Sequence, residues 1–306
     1  MLLKNKTCFQ GRRRQLADII IALQQFFGLL FIVCSMLAIG FSLTSGMIIK
    51  PLKNWKFDLS VIAANFIIVP AVVIGLTMVV PLPPETKIGL TILSLSAGGQ
   101  FIPKLSQSAK GNVVVAVALM MLLMISTIII LPLVLPFVIL GTSLNSWDIA
   151  KPIIFLMLTP LGIAVAIKHR YSGFASIAAK RLNLVTTASI LILLFLFFVG
   201  FWSQIIGTFG TGLIAFGVFF ALFALCIGYF LGGRNPEVRR VTGLATANRN
   251  LTAGMLVATT NFAETPMVFV AVFLLSIVKL VILMTVSWEW GRRSSKKEAE
   301  PAAQQP

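Results

Sequence analysis

Almost the whole chain is divided into apolar stretches long enough to cross a bilayer, and this one feature leaves few folds open. A spanning helix needs about 20 consecutive apolar residues. About nine such segments follow one another, roughly at 24–47, 58–80, 86–108, 111–140, 150–168, 183–203, 208–232, 238–261 and 265–288. In hydrocarbon every backbone N–H and C=O must be satisfied within the protein, so continuous segments of this kind are helices. The expected class is an all-α multi-pass membrane protein. A chain that is 58% apolar and 11% charged, with 25 Lys and Arg against 9 Asp and Glu, agrees with that class.

The net charge of +16 lies mostly in short loops, as topology signals do, and not on a soluble basic face that would bind nucleic acid. Basic loops at 234–240, 168–181, 109–110 and 50–56 fall on one side if the C-terminal tail, with Arg292, Arg293, Lys296 and Lys297, is cytoplasmic. The expected location is the cell's inner membrane. Lys4, Lys6 and Arg12 to Arg14 break the alternation, and an interfacial helix over 12–24 before the first span is the expected remedy. No small-residue cleavage site follows the first apolar run, so no removable signal peptide is expected.

Catalytic and metal chemistry have little to work with. Cys8, Cys34 and Cys226 are scattered, His169 is the one histidine, and the nine carboxylates fall at segment ends, loops or tails. A membrane-embedded enzyme would want clustered carboxylates or histidines at depth. Neither a cofactor nor a metal site is expected, and the chain is not expected to be an enzyme.

Two segments are interrupted. The third carries Ser96-Ala97-Gly98-Gly99-Gln100, then Ile102-Pro103-Lys104, in the middle of its apolar run; the eighth carries Thr246-Ala247-Asn248-Arg249-Asn250. Gly costs about 1 kcal/mol and Pro about 3 kcal/mol in a helix interior. Unwound backbone at membrane depth persists only where protein buries it or it lines a wet cavity, so both breaks point to one site. The two are five places apart in segment order, an odd number, so equivalent helices in two halves would run in opposite directions. This is the inverted-repeat pattern of secondary transporters. The expected organisation is a basic N-terminal segment over 1–23, a first repeat over 24–140, a second over 150–288 and a polar tail over 289–306.

Three cations stand inside apolar segments: Lys104, Arg249 and Lys279. Placing one at a helix centre costs about 2.5–3.5 kcal/mol even on insertion scales, and no carboxylate is expected at that depth. Each has an ordinary explanation too: Lys104 can snorkel to the cytoplasmic end on its long stem, and Lys279 can be satisfied by backbone carbonyls. Arg249, between Asn248 and Asn250, is the strongest candidate to bind an anion. Asn65, ahead of Pro70, and Gln100 and Thr252 are further candidates for substrate contact, although such polar groups also serve as ordinary interhelical or intrahelical hydrogen bonds.

The order of these motifs resembles the bile acid:sodium symporter family. Ser96-Ala97-Gly98-Gly99 followed by Ala109-Lys110-Gly111-Asn112-Val113 is similar to that family's Gly-Gly break and Lys-Gly-Asn helix start. Asn65-Phe66-Ile67-Ile68-Val69-Pro70 resembles its Gln-Phe-x-x-x-Pro helix, and Asn250 matches the Asn of its second break. The resemblance implies a core domain with two crossed broken helices, a panel domain, and substrate bound beside two sodium ions. The sodium ligands are where this chain departs: the family's Ser-Asn falls on Ile102 and Pro103, and its Glu and Gln on Ala245 and Arg249. Two unit charges about 4 Å apart repel by about 4 kcal/mol at an effective dielectric of about 20. The expectation is a carrier of small organic anions in the bilayer, with Arg249 and Lys104 standing in for sodium. A sodium-coupled symporter and a passive anion channel are the rivals within transport.

Overall fold

In the computed structural model, the structure describes residues 2–43, 54–139 and 145–302, with side chains over 19–43, 54–139 and 145–296. The basic loop at 50–53 and the side chains of Lys4 to Arg14 lie outside the described residues. The described chain is helical, without a strand. Seven helices are long and apolar enough to cross a membrane: Ile19–Ser42, Trp55–Val79, Val113–Val138, Ser146–Arg170, Ser172–Gly200, Leu213–Leu231 and Pro266–Lys296. The third and eighth apolar stretches are absent from this set because each is split into halves shorter than a bilayer requires. This is a multi-pass membrane protein.

In chain order the helices are α1 (Leu2–Ser42), α2 (Trp55–Val79), α3 (Pro84–Leu95), α4 (Ile102–Ser108), α5 (Val113–Val138), α6 (Ser146–Arg170), α7 (Ser172–Gly200), α8 (Trp202–Thr208), α9 (Leu213–Leu231), α10 (Pro236–Ala247), α11 (Leu251–Asn261) and α12 (Pro266–Ala302). Asparagine starts five of them, Asn145 by accepting the Trp147 N–H at the start of α6. Asn54, Asn112, Asn235 and Asn250 each accept a backbone N–H from the first turn they precede, satisfying donors a helix start leaves open. The N-terminal basic segment continues into the first span as one helix, with no separate interfacial piece over 12–24. The C-terminal polar tail likewise extends α12 to Ala302.

The chain divides into two compact units, and each draws on both halves of the sequence. One comprises Met1–Leu43 and Ile154–Gly207. Inside it α1 lies along α7, where buried Gln24 donates through Nε2 to the Leu196 carbonyl at 3.0 Å. Gly40 lets α1 approach α6 closely, since a Cβ there would stand 2.6 Å from Ala164 Cβ. Small residues at such contacts let helix backbones pack without a hydrophobic driving force from water. Phe41, Ala164, Ala175 and Ala179 form its core.

The other unit comprises Thr44–Ile153 and Thr208–Pro306 and contains both interrupted segments. The coil between α3 and α4 and the coil between α10 and α11 fall where the Gly pair and the Asn-Arg-Asn triplet predict them. Pro103 is placed differently from the expectation: it occupies the first turn of α4, where its missing N–H is tolerated, so the glycines make the break and the proline restarts the helix. Helix α2 carries a π turn over Ala64–Ile68, ending two positions before Pro70.

Candidate functional site

The backbone comes first. At the first break Gly98 adopts φ +78°, and a Cβ on it would lie 2.4 Å from Met124 N, so both conformation and proximity to α5 demand glycine. Thr127 on α5 clamps the adjacent residue: its Oγ1 accepts from Ala97 N–H at 2.9 Å and donates to Ala97 C=O at 3.0 Å. The two breaks then bond to each other. Gly99 N–H donates to the Asn248 carbonyl at 3.0 Å, and Asn250 N–H donates to the Ser96 carbonyl at 2.7 Å. Buried N–H and C=O groups must be paired; here each break supplies partners for the other.

Not every freed carbonyl is satisfied by backbone. Ser94 lies in the last turn of α3, where helix carbonyls have no intrahelical partner. Asn65 loses both of its usual donors, because the Val69 N–H goes to Ala64 C=O across the π turn and Pro70 has none to give. Arg249 reaches both: its Nη1 donates to Ser94 C=O at 3.0 Å and to Asn65 C=O at 3.3 Å. The guanidinium lies over the Phe220 ring of α9, 5.4 Å from its centroid, a cation–π arrangement. Arg249 is only 1% exposed.

The third freed carbonyl belongs to Arg249 itself. In a continuous helix Ala253 N–H would bond it, but that donor goes to the Asn250 side chain at 3.2 Å. Lys279 Nζ, from α12, donates to the Arg249 carbonyl at 2.9 Å. Neither Arg249 nor Lys279 forms an ion pair among the described residues; the described pairs join Glu289 to Arg292 and Arg293 on α12.

Several polar atoms remain buried without a partner around this junction: Arg249 Nε and Nη2, Asn248 Nδ2, Asn250 Nδ2 and Asn65 Oδ1. Asn65 Nδ2 is used, donating to Val61 C=O at 2.9 Å and to Thr246 Oγ1 at 3.3 Å. Gln100 donates through Nε2 to Thr252 Oγ1, tying the first break to α11. Of the candidates named from sequence, Arg249, Asn248, Asn250, Asn65 and Lys279 are thus brought together, with the Gln100–Thr252 pair joining the same two breaks. Lys104 is not: its side chain is exposed on α4.

Two residues of the site escaped the sequence reading. Thr127, with Ser126, forms the polar pair in an otherwise apolar α5, which was a usable signal. Phe220 is one of 24 phenylalanines, and nothing local distinguishes it.

As for a metal, Ile102 and Ala245 are wholly buried and offer no side-chain oxygen. The carbonyl oxygens of Ser94, Asn65 and Arg249, which an alkali ion could use, already accept from Arg249 and Lys279. The result is a buried junction of two interrupted helices that is charged and, among the described residues, forms no ion pair.

The family model of the SBF-like CPA transporter family matches residues 14–289. The chain belongs to that family. The match covers both compact units and both breaks, and it makes the protein a membrane transporter of the bile acid:sodium symporter type, in line with the motif resemblance. No curated protein matches the chain.

Proposed function

We propose that the protein is a secondary-active transporter of small organic anions, carboxylates or sulfonates, working by alternating access without bound sodium. One observation carries this reading: the unpartnered buried atoms at the junction are four donor nitrogens, on Arg249, Asn248 and Asn250, against one acceptor oxygen, on Asn65. A buried donor left unsatisfied costs about 1–3 kcal/mol, more when charged. An anion with two or three oxygens relieves that cost and neutralises Arg249, whose planar fork matches a carboxylate. A cation would worsen both problems.

The absence of sodium follows from the same geometry. Arg249 and Lys279 already occupy the oxygens the breaks set free, and their charges oppose a further cation. The membrane is the inner membrane and the C-terminus is cytoplasmic, as the basic loops indicate.

The test is uptake of labelled carboxylates and sulfonates into proteoliposomes holding the purified full chain, with and without a sodium gradient. Saturable, exchange-stimulated uptake that is indifferent to sodium is expected. Strict sodium dependence would return the protein to the sodium-coupled symporters, and unitary currents would make it a channel.

A further inference from the structure

Lys279 does something that anion binding does not require. It is 5% exposed, and among the described residues it pairs with no carboxylate and makes its polar contact with a backbone carbonyl exposed by a helix break. That carbonyl is built to stay free. Asn250 diverts the Ala253 N–H with its own side chain, and the Gly254 N–H bonds the Asn250 carbonyl at 3.0 Å instead. On the other side Gly99 packs so close that a Cβ would stand 2.5 Å from the Arg249 oxygen, so only glycine leaves the oxygen undisturbed. A desolvated carbonyl of an unwound segment, kept from every N–H of its own helix, is the kind of oxygen that coordinates a monovalent cation in discontinuous helices. Here the cation is a compact point charge on a four-carbon stem.

We propose that the Lys279 ammonium is the resident cation of the junction: it occupies a monovalent-cation site built on the Arg249 carbonyl, and truncating it leaves a site that takes a small free cation. Lys279 is on this account a positioning residue. It holds the second break from α12 and so fixes where the Arg249 guanidinium emerges; it does not touch the transported anion. Its transport consequence rests on the anion-carrier reading above, but its binding consequence does not.

The experiment uses the full chain in detergent and in proteoliposomes, as wild type, Lys279→Ala and Lys279→Met. Thermal unfolding is followed while sodium, potassium or methylammonium chloride replaces choline chloride at constant ionic strength. Because a ligand of the folded state raises its midpoint by mass action, Lys279→Ala should unfold earlier than wild type in choline and recover, saturably, with methylammonium or sodium. Wild type should respond equally to all four salts. Lys279→Met, which keeps the volume and loses the charge, should remain low in every salt and keeps the test informative if the alanine variant does not fold. In proteoliposomes the anion uptake lost in Lys279→Ala should return with the same cation.

A midpoint of Lys279→Ala that is indifferent to cation identity overturns the proposal, as does a methionine variant as stable as wild type. Cation rescue of unfolding without any anion uptake by wild type would instead leave this proposal standing and remove the anion-carrier reading.

Discussion

The two helix breaks solve one problem with opposite chemistry. The first, at Ser96 to Phe101, is neutral: a left-handed glycine bends the chain, Thr127 satisfies Ala97 at both ends, and no residue of the break carries a charge. The second, at Asn248 to Asn250, is charged, donating outward from Arg249 and receiving Lys279 from behind. The first therefore acts as a frame and the second as the charge it holds. Neither would be satisfied alone, since each lends the other a backbone N–H.

Substitutions can break this division of labour. The largest effect belongs to Arg249→Ala, which removes the charge and orphans the carbonyls of Ser94 and Asn65; anion uptake should be abolished and stability fall by roughly 2–6 kcal/mol, from about 1–3 kcal/mol for each acceptor stranded. Arg249→Lys keeps a cation but not the fork, so uptake weakens without vanishing. Chemical unfolding in micelles, beside the uptake assay, separates the two losses.

Next comes Gly98→Ala. A left-handed conformation costs a residue with a Cβ about 1–2 kcal/mol, and contact with the α5 backbone adds to it. The variant should be poorly folded, and one that unfolds like wild type would remove the frame from the comparison. Thr127→Val keeps the shape and strips both hydrogen bonds from Ala97, at about 1–3 kcal/mol for each group left unpaired. If the first break is only a frame, the transport that survives in this variant should keep its anion selectivity.

The smallest effect is expected of Lys104→Gln. Its side chain is exposed, and surface changes of this sort stay within about 0.5 kcal/mol. Uptake should change by less than about twofold, a free-energy difference near 0.4 kcal/mol. A loss as complete as that of Arg249→Ala would put Lys104 back at the first break and erase the contrast between the two.

The breaks were legible because glycine and a cluster of amide side chains in an apolar run have no cheaper explanation. Asn65 ahead of Pro70 was legible for a related reason, since proline must free a carbonyl. The sequence could not show which one: a regular helix would free the carbonyl of Phe66, and the π turn moves the loss to Asn65. Lys104 and Lys279 are each a lysine between apolar neighbours; the sequence left Lys104 able to snorkel and Lys279 able to meet backbone carbonyls, without deciding whether either binds substrate. What separates them is the direction of the side chain, which depends on how each short or long helix packs. Charge pattern misled at the N-terminus for another reason. A run of basic residues suggests a change of element, but lysine and arginine are good helix formers, and α1 continues through them. A division into two units was implied by the family resemblance, but its bounds were hidden, because each unit is assembled from segments far apart in the chain.

The π turn in α2 has a consequence of register. It holds one residue more than a regular helix needs to travel the same height, so removing one of Phe66, Ile67 or Ile68 would let the helix close up into regular turns while the segments on either side keep their facing. The shortened helix would be more regular and just as greasy, and the proline would still withhold a donor from the Asn65 carbonyl, now as its ordinary fourth-residue partner. A gap of one position in a sequence comparison at this place is therefore a lost bulge, with the wiring on either side of it kept.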